Sequence, residues 1–202
     1  MSHVDSDIVY SILADVDTGH GKMTITWGKI HKCLGMTIYY YSPVKLILSM
    51  ADYIEKMLDD IPEETNGVPS TAATLHLFYI AEDATKLSQT DVDIINHFVA
   101  QIFFLSKRAR PYIQMIVSFL CTLLRELDTD DIKNLERVMK YIHDTIDLTL
   151  ILSMDNYGNI KWYVNALFAV HKDTKIHTGS FMTMGTGGAY LKYTKLDTKS
   201  ST

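Results

Sequence analysis

Cysteine, metal-ligand spacing, long apolar runs and excess positive charge are all missing or scarce in this sequence. Its 202 residues hold two cysteines, Cys33 and Cys121. That is too few for the disulfide framework of a small secreted fold, and both lie in apolar runs, so a reduced, intracellular protein is the simpler expectation. There are eight histidines but no Cys-x-x-Cys or His-Glu-x-x-His pair. Without that spacing a zinc site has no support, and His171 and His177 read as strand and loop residues satisfied by local hydrogen bonds. The longest mainly apolar stretch, 112–124, falls short of the roughly 20 residues that span a bilayer, and Arg110 and Arg125 flank it as they would a buried helix. No membrane partner is expected. The start, Met1-Ser2-His3-Val4-Asp5, lacks the apolar core of a secretory signal. The net charge is −5, which gives no general attraction to phosphate backbones, so nucleic-acid binding would need a local basic patch.

What is present is ordinary globular material, with 47% apolar and 21% charged residues, enough to support a core. Val4, Ile8, Val9, Ile12, Leu13 and Val16 recur at helical spacing, with Ser2 or Asp5 at the start and Gly19 at the end. The period then changes to two. Met23, Ile25 and Trp27 alternate with polar residues, then Leu34, Met36, Ile38 and Tyr40, and, after Ser42-Pro43, Val44, Leu46 and Leu48, as in a small antiparallel sheet. Ser49 and Asp52 resemble a capping box opening a helix that carries Tyr53, Ile54, Met57, Leu58 and Ile61 and stops at Pro62. Residues 63–90, with Gly67, Pro69 and many Ser and Thr, read as a long loop.

Three helices follow. The first, over residues 91–109, carries Val92, Ile95, Val99, Ile102 and Phe103 on one stripe. Pro111 restarts the chain at a first-turn position, and Ile113, Ile116, Val117, Leu120 and Leu124 make the next stripe. Asp128 or Thr129 caps a third, with Ile132, Leu135, Val138, Met139 and Ile142 inward. Short connections make these helices neighbours in a small bundle. The tail returns to strands at 148–152, around Ile160, Trp162 and Val164, at 180–184 and at 189–193. The fold class is therefore α+β.

The order of segments resembles a known family. "KIHKCLGMTI" at 29–38 and "LSMADYIEKML" at 48–58 resemble the stretch after the palm active site of copia-type retrotransposon reverse transcriptases, with its primer-grip hairpin and entry to the thumb. "VAQIFFLSKRARPYIQMIVSFLCT" at 99–122 is similar to the family's thumb helices around an Arg-Pro pair, here Arg110-Pro111. "LERVMKYIHDT" at 135–145 resembles its connecting helix, and "KWYVNALFAVHKDTKIHTGSFMTMG" at 161–185 the first two strands of its ribonuclease H domain. The resemblance implies a division into 1–62 (end of the palm, primer-grip-like hairpin and first thumb helix), 63–90 (loop), 91–147 (helical thumb and connection) and 148–202 (truncated ribonuclease H-like strands).

It also implies where the chemistry should be. The parent family is an RNA-directed DNA polymerase and ribonuclease H that uses Mg²⁺. Its polymerase aspartate pair, in a Tyr-Val-Asp-Asp-like turn, would lie just before His3. Asp5 and Asp7 are better read as first-turn helix acids facing the positive dipole end. The first nuclease carboxylate falls at Asn165, an amide with no negative charge to offer the divalent ions that activate water. The next belongs to a Ser-Ser-Thr-Glu-Ala-Glu-like segment that would begin at Ser200-Ser201-Thr202. The implied protein is a degenerate, catalytically inactive fragment with no catalytic residue, metal or small-molecule cofactor of its own, its sheet left with exposed apolar surface. Two other readings stand beside it: a non-enzymatic module retained from the thumb that binds nucleic acid or protein, and an incomplete stretch of an active polyprotein.

Lys107, Arg108 and Arg110 form the densest basic cluster, beside helices that in the family grip the primer–template duplex. Weak, salt-dependent contact with RNA–DNA or DNA duplex is the partner they predict. The plainer account is a helix end whose cations suit the negative dipole terminus. The glycine-rich run 184–188 has no following Lys-Ser/Thr or helix, so it reads as a turn and not a phosphate loop. Asp173 reads as a turn residue, and Cys121, on an apolar stripe, as core.

Overall fold

The computed structural model describes residues 27–59, 69–74, 77–78, 85–124, 127–155, 159–167 and 175–199. The expected N-terminal helix, the alternation at Met23 and Ile25, Ile61 with Pro62, most of the 63–90 loop, and Asp5, Asp7, His171 and Asp173 lie outside the described residues.

Strands β1 (Ile30–Cys33) and β2 (Met36–Ser42) form a hairpin in which Cys33 pairs with Met36. The two residues between them, Leu34 and Gly35, have φ of 52° and 74°, the mirror-image turn whose twist suits a hairpin. Leu34 therefore sits in the turn and not in the strand to which its period assigned it. β3 (Lys45–Ser49) pairs with β2, with an irregularity between Tyr40 and Ser42. Helix α1 (Ala51–Leu58) follows directly. The capping box expected from Ser49 and Asp52 does not form: Ser49 is the last residue of β3, its hydroxyl accepts the Ala51 N–H at 3.4 Å, and the N-cap residue is Met50, whose side chain caps nothing. Asp52 instead takes Lys32 of β1 at 2.8 Å.

Helix α2 (Gln89–Ser106) starts where the Ser88 hydroxyl accepts the Asp91 N–H and donates to the Asp91 carboxylate. Pro111–Ile113 is a 3₁₀ turn, after which α3 (Gln114–Cys121) runs. Helix α4 (Thr129–Asp144) opens with a capping box between Asp128 and Asp131, satisfying two N–H groups at once. Its stripe is as the spacing predicts, with Leu135, Val138, Met139 and Ile142 buried. Leu48 from the sheet, Met50 at the N-cap of α1, Ile54 and Met57 from α1, and the inward stripes of α2, α3 and α4 share one core.

Strand β4 (Leu150–Met154) pairs with β3, and β7 (Gly185–Thr186) pairs with β4, giving the order β1-β2-β3-β4-β7. The glycine-rich run is thus more than a turn. Gly187 has φ of +80° and lies so close to the Ile151 carbonyl that a Cβ would collide with it. A second antiparallel sheet, β5-β6-β8, holds β5 (Lys161–Leu167), β6 (Lys175–Thr183) and β8 (Tyr190–Lys199). The architecture is α+β. β4, placed by the resemblance with the C-terminal strands, hydrogen-bonds into the first sheet, so the implied boundary at 147/148 does not coincide with a division between sheets.

Candidate functional site

Asn165 lies near the middle of β5, an outer strand of the second sheet, paired with Gly179. Its side chain is exposed, and its Oδ1 accepts the neighbouring Ala166 N–H at 2.8 Å. β5 and β6 contain no Asp or Glu, and neither do residues 190–196 of β8. Among the described residues, no three His, Cys, Asp or Glu side chains converge in a way that could hold a metal. The Mg²⁺ that the resemblance implies does not fit this donor set, because a single neutral amide cannot offset the cost of dehydrating so small an ion. His177, buried at 2% exposure, packs 5.7 Å from the Phe78 ring, and burial holds its imidazole below the ordinary range.

The three cations singled out in the sequence do not share one surface. Arg110 is 1% exposed. One guanidinium nitrogen donates to the Tyr112 hydroxyl and another to the carbonyls of Thr145 and Ile146, just past the end of α4. Its charge therefore meets the negative end of a helix inside the protein, which removes it from any phosphate-contacting face. Arg108 is half-buried, with its guanidinium 3.4 Å from the centre of the Phe104 ring and donating to the Phe104 carbonyl. Lys107 lies over Phe103 at 5.1 Å. Burial, then the like charge of Lys192, holds the Lys107 pKa below its ordinary value, while Cys121 acts in the opposite sense.

Lys107 and Arg108 instead line a cleft of about 420 Å³ together with Leu48, Leu150, Tyr190 and Lys192. Its far wall is β8, fastened where the Gln114 amide donates to the Leu191 carbonyl at 3.2 Å. Lys192 had no local signal in the sequence. It is 85 positions from Lys107, and only the docking of the second sheet on α3 brings them together. A smaller apolar cavity of about 220 Å³ lies between Met115 of α3 and Tyr163, Asn165, Phe181 and Tyr193 of the sheet. Gly179 makes room there, since a Cβ would run into the Tyr193 ring. Cys121 is half-buried, and burial pushes its thiol pKa up, which fits core and not a reactive thiolate. No described helix is long and apolar enough to cross a membrane.

The chain is similar to the transposon Ty5-1 protein of Saccharomyces cerevisiae, with 27% identity over 160 residues, covering 79% of this chain and 51% of that protein. It thus spans about half the length of the curated relative it matches. No protein-family model matches the sequence, and no solved structure matches it. The similarity supports a transposon-derived chain.

Proposed function

We propose that this chain is a segment of a copia-type retrotransposon polyprotein, running from the end of reverse transcriptase into ribonuclease H, and that it performs neither reaction itself. The similarity to the yeast transposon protein supports the transposon origin. The finer assignment rests on the ordered motifs from Lys29 to Gly185. Asn165 carries the inference of inactivity. It stands where the resemblance requires the first nuclease carboxylate, on a strand whose hydrogen-bonded neighbour, β6, contains no Asp or Glu. Hydrolysis of a phosphodiester by two metal ions needs anionic oxygens to hold both ions and orient the attacking water. An amide oxygen supplies no negative charge, and here one of its two lone pairs is already engaged with the next backbone N–H.

The test is hybrid cleavage and primer extension by the purified full chain in Mg²⁺ and in Mn²⁺. No turnover above a protein-free blank is expected in either assay. Turnover that disappears when one of this chain's own carboxylates is replaced overturns the proposal.

A further inference from the structure

We propose that the cleft between the end of α2 and strand β8 binds the phosphate group of an anionic ligand, held between Lys107 on one wall and Lys192 on the other. These two lysines come from different parts of the chain, and both line the same cleft. Neither belongs to an ion pair among the described residues. Among the described residues no acid lines the cleft, and Arg108, 3.4 Å from the centre of the Phe104 ring, adds a third positive charge at its wall. Like charges brought together without a counterion repel, whereas an anion between them turns that repulsion into two charge-assisted hydrogen bonds.

The cleft, at about 420 Å³, exceeds the size of a lone phosphate and leaves room for the group that carries it. The Tyr190 ring, partly exposed on the same wall, offers that group an aromatic surface. A phosphodiester strand and a free polyphosphate present the same chemistry to these lysines. This site does not depend on the ancestry of the chain.

The experiment titrates the full chain with pyrophosphate and, separately, with a short oligothymidylate, and maps lysine acetylation by mass spectrometry. Bound pyrophosphate or oligothymidylate should protect Lys107 and Lys192 while leaving Lys161, on the outer strand β5, as reactive as before. Lys107→Gln and Lys192→Gln should each weaken binding about tenfold, the loss expected from one charge-assisted hydrogen bond. Binding of oligothymidylate that pyrophosphate displaces identifies a strand backbone as the occupant; binding of pyrophosphate alone identifies a free polyphosphate. Both support the site. Absent or uniform protection on the unmodified chain, or undiminished binding by a folded double variant, overturns it. Neither failure touches the inactivity proposal, which rests on Asn165.

Discussion

Along α2, α3 and α4, side chains such as Ile102, Phe119 and Val138 are buried in one shared core, whereas all seven residues of β5 are exposed. Charge separates the two regions as well. Residues 159–199 carry six lysines and two aspartates, a net +4, against −5 for the whole chain; the remainder therefore holds −9. One region is built from apolar stripes that need each other. The other is a basic sheet that touches the core on one side, through β8 on α3 and through His177 on Phe78. The difference teaches that the helices set stability here and the sheet sets what the surface can attract.

The largest test of that contrast removes bulk from each region. Phe119 is 1% exposed and meets Phe78 edge-on at 4.8 Å, so Phe119→Ala should cost about 3–5 kcal/mol in denaturant unfolding. Val164, 75% exposed on β5, should cost under roughly 0.5 kcal/mol as Val164→Ala. Similar costs at both positions would show that the sheet is as deeply committed to the core as the helices are.

Arg110 sharpens the comparison, because it is a charge placed on the helical side of the divide. Arg110→Met leaves the Tyr112 hydroxyl and the carbonyls of Thr145 and Ile146 without their donor. A loss of about 3 kcal/mol is expected. Arg110→Lys should recover only part of it, since an ammonium cannot reproduce the planar fork. If Arg110→Met unfolds at the same denaturant concentration as the unmodified chain, Arg110 is not holding the end of α4.

Much of this fold was legible in the sequence wherever one period dominated. The stripe of α4 could be read directly and its cap narrowed to Asp128 or Thr129, of which the structure takes Asp128, because amphipathic spacing and a capping side chain ahead of it are local signals. Leu34 was misplaced because an apolar residue at a strand-like spacing can still occupy a turn when glycine follows it. Ser49 does not open a capping box because it ends strand β3 one position before the N-cap, Met50. Arg110 and Lys192 mark the deeper limit. Three neighbouring cations in the sequence look like one patch, yet packing buries one of them and supplies a replacement from a strand 85 positions away. Asn165 was legible only through the resemblance, since nothing in a lone exposed asparagine announces a lost carboxylate.

The smallest expected effect concerns the seam between the two regions. His177 sits in that seam, with Leu167 and Lys195 as its cross-strand neighbours and the Phe78 ring above it. Burial favours the neutral imidazole, so its pKa in the folded chain lies below the ordinary 6.5 that it regains on unfolding. The unfolded chain then binds the proton more readily, and stability must fall as the pH drops from about 6.5 toward the folded value. Above that window both states hold a neutral ring and the contribution is fully present. Urea midpoints measured across this range should therefore decline on acidification in the unmodified chain and decline less in His177→Gln. An unchanged slope in the variant would mean that other groups, most simply the carboxylates of the acidic remainder, carry the acid sensitivity, and that the seam between helices and sheet is indifferent to protonation.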